Sequence, residues 1–316
     1  MSFFSKKNFY RFLRRVVLWG SDMSVRFNPK YHLTRLLRGF AVVEVNGSKM
    51  YLDLKNDVGI SKDLFIFRKR EFVSTDYLID GKVLNAGDVV LDIGANIGYY
   101  ALLEARLVGP TGRVYAMEPV SSNYNLLKKN IELNDLHNIQ TFRIAAGDEN
   151  KESEIYVATK GNISSFIYKP EAVFVAKEKV HVTTVDDFVA EHRIDPRLVR
   201  MDVEGYEKEI IQGMQKTLLR HPLLFIEVHP HLMSQEELAQ MFRTIEESGY
   251  KKAVVIKEKK EVWMKRNGEI RPLLRFLSNK IEGHSAIGMG QTEHMTLSEL
   301  RRTLPGRGSA FHAWLS

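Results

Sequence analysis

Val89-Val90-Leu91-Asp92-Ile93-Gly94-Ala95-Asn96-Ile97-Gly98-Tyr99 joins a short apolar run to a glycine-bounded turn and then to the start of a helical pattern. In an open parallel sheet, ligands bind beyond the carboxyl ends of the strands, near the point where strand order reverses. The residues just past such a strand are therefore the first candidates for a site. Gly94 and Gly98 let the backbone turn sharply and let a ligand approach without meeting a Cβ. A helix starting near Gly98 presents unpaired N–H groups to a negative group. Asp92, at the end of the strand, is placed to take a ligand ammonium or to fix the loop. The turn does not fit the dinucleotide fingerprint, which needs glycines at 94, 96 and 99, where this chain has Gly94, Asn96 and Tyr99. A G-x-x-x-x-G-K-[ST] phosphate loop is also missing.

Working outward, short apolar runs alternate with helical patterns over about 86–257. The expected strands are Val89–Ile93, Arg113–Met117, Ile139–Ala145, Leu198–Val203, Leu223–Val228 and Ala253–Ile256. The expected helices are Gly98–Leu107, Ser122–Leu133, Glu207–Leu219 and Gln235–Glu247, with Ser121 as an N-cap for the second and Ser234 with Glu237 as a capping box for the last. Between about 147 and 197 the pattern loosens to a short strand at Glu154–Val157 and a short helix after Thr184. Such alternation means right-handed crossovers and a doubly wound, mostly parallel α/β sheet.

Upstream, over 39–85, Val43 and Val45 alternate before Asn46-Gly47, and Met50, Leu52 and Leu54 alternate after it, which is a hairpin signal. A helix rich in Phe and Leu follows from about Leu64 to Ile79. Residues 1–38 carry nine Lys/Arg and one acid, and Phe9, Leu13, Val16 and Gly20 lie near one helical face. Residues 258–316 form a basic C-terminal extension whose end, Ala310–Ser316, can be read as a last strand.

The second expected strand ends at Glu118-Pro119, 24 residues after Gly94. A carboxylate there can take both hydroxyls of a ribose and disfavours a 2′-phosphate. A nucleoside without a pyrophosphate satisfies both this acid and the crowded turn, and S-adenosylmethionine is such a ligand. Its ribose goes to Glu118, its amino-acid end to the glycine loop, and its adenine toward Ala145-Ala146-Gly147-Asp148. Asp148 can reach the adenine amine or stand as a solvated turn aspartate.

Several stretches resemble FkbM-type S-adenosylmethionine-dependent methyltransferases: Asp92–Tyr100, Glu118-Pro119, Asn130-Ile131-Glu132-Leu133-Asn134, Arg200-Met201-Asp202-Val203-Glu204-Gly205-Tyr206-Glu207 and Leu224-Phe225-Ile226-Glu227-Val228-His229. The resemblance runs from about Asp57 to Ile256 with its motifs in order. It implies a Rossmann-like class I methyltransferase fold and methylation of a hydroxyl on a sugar, polyketide or similar small molecule. Two positions depart from the family pattern: Arg200 replaces a common lysine, and Ala101 replaces a common hydroxyl residue.

A hydroxyl acceptor calls for a general base near the methyl group. Asp202, Glu204, Glu227 and His229 fall at the carboxyl ends of the fourth and fifth strands. His229 or Asp202 is the favoured base, because histidine is neutral and proton-accepting near pH 7 with little perturbation. Glu204 and Glu227 orient that base or bind substrate hydroxyls. The four groups could also hold Mg²⁺ or Mn²⁺, but nothing in their spacing demands it and no metal is assigned. Asn162, Ser164 and Ser165 either line the acceptor pocket or form a plain loop.

Composition sets the outer limits. With 44% apolar and 27% charged residues over 316 positions, the chain has ordinary globular composition. It has no cysteine, which excludes disulfides, thiolate-ligated metals and a thiol nucleophile. The longest uncharged stretch, Ile93–Leu103, is eleven residues, against the ~20 of a membrane-spanning helix, so a cytoplasmic protein is expected. Charge is uneven: +8 over 1–38, −8 over 39–250 and +7 over 251–316. The basic N-terminal segment can lie on an anionic membrane, cap the core or pair with a second subunit. Nucleic acid is not expected as a partner, because the acidic middle surrounds the cleft. The rival readings are a non-catalytic scaffold at an anionic surface and an NAD-dependent oxidoreductase.

Overall fold

The computed structural model describes residues 39–55, 60–81, 83–158, 164–167, 174–258, 290–304 and 309–316. The amphipathic pattern of residues 1–38, most of the basic extension and Asn162 lie outside them. Strands β1 (Phe40–Val45) and β2 (Ser48–Asp53) form the expected hairpin. Asn46 and Gly47 have φ of 48° and 76°, the left-handed geometry that a two-residue hairpin loop requires. The expected single helix is two, α1 (Ile60–Phe67) and α2 (Phe72–Asp80). The chain breaks between them, with Arg68 and Glu71 at φ of 58° and 41°. A helical spacing of Phe and Leu continues across that break, which hid it.

The central pattern holds closely: β3 (Val89–Ile93), α3 (Tyr99–Val108), β4 (Arg113–Met117), α4 (Ser121–Glu132) and β5 (Ile139–Phe142). Ser121 is not the N-cap. It is the first helical residue, Val120 precedes it without a side-chain cap, and the Ser121 hydroxyl donates to Glu178 at 2.6 Å. The expected third strand divides, because Ala145–Gly147 leaves the main sheet as β6 and pairs with a second, three-stranded sheet ordered β6-β8-β7. Its other members are β7 (Lys151–Ala158) and β8 (Phe174–Thr184). Five of the eleven residues of β8 are exposed and a Lys177-Glu178-Lys179 run crosses its middle, so its buried apolar positions are confined to Val180 and Val182. Helix α5 (Val185–His192) starts at Thr184, whose side chain accepts from the Asp187 N–H.

The chain then forms β9 (Leu198–Met201), α6 (Glu207–Gln212), α7 (Gln215–Leu218), β10 (Leu223–Val228), α8 (Gln235–Glu247) and β11 (Lys252–Glu258). The expected helix over Glu207–Leu219 is interrupted at Gly213, where a Cβ would lie 1.9 Å from the Gly147 carbonyl oxygen. The helix therefore yields to the approach of β6. The last described elements are β12 (Gly290–Thr296), α9 (Leu297–Thr303) and β13 (Phe311–Leu315).

The main sheet has the order β12-β11-β13-β10-β9-β3-β4-β5. Neighbours from β5 through β10 run parallel, whereas β13 is antiparallel to both β10 and β11. Strand order reverses between β3 and β9, which opens a crevice at their carboxyl ends. Helices cover both faces. Val90 packs on one side with Leu102 and Trp314, and Leu91 on the other with Phe188 and Met201. This two-faced burial explains why the strands read as nearly continuous apolar runs. The hairpin and α1 share the first of these cores through Val43, Leu52 and Leu64. The architecture is the doubly wound, Rossmann-like α/β sheet that the alternation predicts. Among the described residues, no helix is long and apolar enough to cross a membrane.

Candidate active site

A cleft lined by Gly94, Glu118 and Asp202 opens at the carboxyl ends of β3, β4 and β9, where open parallel sheets bind ligands. On its β3 side, Gly94 has φ of 82°, and a Cβ there would stand 2.1 Å from the Asp202 carbonyl oxygen. Glycine is thus required by the β9 loop as much as by any ligand. Gly94 and Ala95 both donate N–H bonds to the Met117 carbonyl, at 3.0 and 2.9 Å. Gly98 faces elsewhere. Its missing Cβ would meet Leu127 at 2.8 Å, so this glycine serves the packing of α3 on α4 and does not border the cleft.

Glu118 is the group that the sequence placed best. Asn96, held at φ of 52°, donates its N–H to Glu118 Oε2 at 2.8 Å, and the Val120 N–H donates to Oε1 at 3.0 Å. The carboxyl is buried at the cleft wall. Burial pushes its pKa up to about 7, against the pull of these N–H donors. Among the described residues no cationic side chain pairs with it.

Two expected ligand contacts are overturned by position. Asp92 lies one step back inside the strand, fully buried, and accepts from Arg200 Nη1 at 2.9 Å. It fixes the floor and does not reach a ligand ammonium. Asp148 pairs with Lys151 at 3.2 Å in a surface turn. It is not among the residues that line the cleft, whose wall on this side is made by Ile144, Ala145 and Ala146.

The floor is densely charged. The Arg200 guanidinium lies 3.9 Å from the Tyr100 ring centroid and donates to Asp92 and, at 3.2 Å, to Asp202. A planar fork can bridge two carboxylates while stacking, which a lysine ammonium cannot. Asp202 and Glu204 line the cleft, and Glu204 holds a left-handed φ of 55°. Burial and the charge of Glu227 push the Asp202 carboxyl well above the usual range, with Arg200 pulling the other way.

His229 does not fill the role of a neutral base. It is buried behind the floor, and its Nδ1–H donates to Glu207 at 2.7 Å. Burial opposes its charge, but the Glu207 hydrogen bond and the charges of Glu207, Glu227 and Glu204 raise its pKa to about 10.

The model of the family described as Methyltransferase FkbM domain matches residues 92–252, half of the chain. The chain belongs to the FkbM methyltransferase family. Among relatives, Methyltransferase 1 of Beauveria bassiana is 24% identical over 146 residues, covering 40% of this chain and 57% of that protein. Methyltransferase sdnD of Sordaria araneosa is 25% identical over 185 residues, covering 48% and 69%. The solved structure of methyltransferase FkbM from Methylobacillus flagellatus KT is 18% identical with a TM-score of 0.41, covering 75% of this chain and 56% of that one. The chain therefore spans little more than half the length of the first and third of these proteins.

The FkbM family uses S-adenosylmethionine, and the residues present suit it. A buried carboxyl without a cation beside it is a receptor for the paired hydroxyls of a ribose. The small side chains of Ala145 and Ala146 leave an apolar wall for a planar base. The tight turn from Gly94 to Asn96 borders the cleft, where a polar tail would lie.

Several cleft residues of this FkbM protein were not found in the sequence: Arg70, Glu71, Phe166, Tyr206 and, behind the floor, His312. Tyr100 Oη donates to Glu71 at 2.7 Å. Burial opposes the charge of Glu71, but His312, 3.3 Å away, holds its pKa at about 2. The only trace of Arg70 and Glu71 in the sequence was a charged interruption in an apolar helical pattern. His312 sits in the final strand, where no motif marks it.

Proposed function

We propose that this FkbM-family protein transfers a methyl group from S-adenosylmethionine to a hydroxyl of a carbohydrate, glycolipid or similar small molecule. The observation that carries the reading is the Glu118 carboxyl, buried in the cleft wall, oriented by the Asn96 and Val120 N–H groups and lacking a cationic partner. The bound cofactor supplies a methyl group on a sulfonium, whose transfer depends mainly on positioning. The chain supplies that positioning. Glu118 accepts the ribose hydroxyls, the turn from Gly94 to Asn96 receives the amino-acid end, and Ala145 and Ala146 flank the base. Asp202 meets the acceptor hydroxyl and Glu204 hydrogen-bonds beside it. Removal of the hydroxyl proton rests on the Asp202 and Glu227 carboxyls, with His229 beside them. The +8 of residues 1–38 supports a further contact with anionic membrane, where a glycolipid acceptor resides.

A melting scan with S-adenosylmethionine, and with its demethylated product, tests the cofactor site. At 100 times the dissociation constant a ligand stabilises the fold by ~2.7 kcal/mol. Glu118→Ala is expected to remove most of that rise, measured against the variant's own unliganded melting point. A rise that survives the substitution would place the ribose elsewhere. Transfer of labelled methyl to a panel of sugar hydroxyls then tests the acceptor class.

A further inference from the structure

We propose that Asp202, Glu227 and His229 form a binding site for a divalent cation of the Mn²⁺ or Zn²⁺ type, set in the floor of the cleft. One ligand atom from each lies within 4.8 Å of the other two. Acidic clusters of this kind are common, and the orientation of His229 is what distinguishes this one. The imidazole is 4% exposed, and its Nδ1 is locked onto Glu207, which is itself fully buried and bonded to the Gly205 N–H at 3.1 Å. A metal-ligating histidine almost always carries such an outer carboxylate, which fixes the ring and leaves the other nitrogen aimed at the ion.

The other nitrogen, Nε2, makes no hydrogen bond among the described residues. It faces Glu204 at 3.7 Å and Glu227 at 3.9 Å. Both gaps are longer than a hydrogen bond. They match the spacing of two ligands on one ion, because bonds of ~2.1 Å set neighbouring donors ~3–4 Å apart.

Access and selectivity are consistent with this. The Asp202 and Glu227 side chains remain 23% and 21% exposed, which leaves the site open toward the cleft. One imidazole with carboxylates suits Mn²⁺ or Zn²⁺, whereas an all-oxygen set suits Mg²⁺ or Ca²⁺. The neighbouring set of Glu71, Glu227 and His312 shares Glu227. Its imidazole lacks the outer carboxylate, and neither of its ring nitrogens makes a hydrogen bond. A cation beside Asp202 would ease loss of the proton from an acceptor hydroxyl. That role rests on the methyltransferase reading, but the binding itself does not.

The test uses the full chain after chelator treatment and dialysis. Mn²⁺ is titrated in, and free ion is followed by electron paramagnetic resonance. Saturable uptake of one ion per chain is expected, with Zn²⁺ displacing it. Asp202→Asn and Glu227→Gln, near-isosteric changes at partly exposed positions, are each expected to weaken uptake at least ~10-fold, and Glu207→Gln, which touches no ion, by ~10–100-fold. Absence of saturable Mn²⁺ uptake by the folded wild-type chain would overturn the site. So would uptake that is unchanged in Asp202→Asn and Glu227→Gln. The melting rise with S-adenosylmethionine is measured on the same samples. If that rise is absent while Mn²⁺ binds, the methyltransferase reading falls and the cation site stands; the converse result has the opposite meaning.

Discussion

Glu118 is held in a state that few surface carboxyls share. Its pKa rises from the ordinary 4.5 to about 7 through burial. Between those values the native chain keeps a proton that the unfolded chain has released, so stability falls as pH rises through this window. The whole fall is ~3 kcal/mol and is complete above pH ~7. Glu118→Gln is expected to flatten it, checked by urea midpoints at pH 5 and pH 8. Affinity for S-adenosylmethionine should move in the opposite direction, rising with pH through 7, because ribose hydroxyls donate to the ionised carboxylate. At this scale the sequence was legible where chemistry follows from strand position, as for Glu118, Asp202 and Glu204. It was not legible for Asp92 and Arg200, which sit in the same motifs but turn toward each other beneath the cleft, 2.9 Å apart.

Among the elements, α8 shows how a local signal survives folding. Ser234 Oγ accepts from the Glu237 N–H at 3.2 Å, and the Glu237 carboxylate accepts from the Ser234 N–H at 2.9 Å. Ser234→Ala is expected to lower stability by ~1 kcal/mol, read as a shift in denaturant midpoint with an unchanged slope. Ser121 carries a comparable signal and fails, because Glu178 from the second sheet captures its hydroxyl and N–H. The interruption at Gly213 has the same kind of cause. A helical period over Glu207–Leu219 is real in the sequence, but β6 arrives from elsewhere in the chain and leaves no space for a side chain at that turn. Strand β8 escaped notice because its first six residues are exposed or half-buried and include Lys177, Glu178 and Lys179.

Across the whole molecule, the last strand closes the sheet. All five residues of β13 are buried, and the strand pairs with both β10 and β11, which do not pair with each other. Trp314 stacks on Phe225 with ring centroids 4.2 Å apart. Truncation after Leu304 would expose two long strand edges and the Phe225 face, and would remove His312 from beside Glu71 and Glu227. Such a chain is expected to be insoluble or to lose cooperative unfolding, whereas a chain truncated after Leu315 should melt nearly as the full one does. Circular dichroism melts of the two chains separate these outcomes.

The alternation of apolar runs and helical periods, the crowded turn after β3 and the acid after β4 are properties of neighbouring residues. The sequence by itself therefore determined the doubly wound sheet, the family and the place of Glu118 on the cleft wall. How strongly each carboxyl holds its proton and which nitrogen of His229 is left facing Glu204 and Glu227 depend on burial and on charges brought together from residues 71, 202, 227 and 312. Only the tertiary structure decided those, because electrostatic energies depend on distance in space and on exclusion of water, and neither is written in the order of residues along a chain.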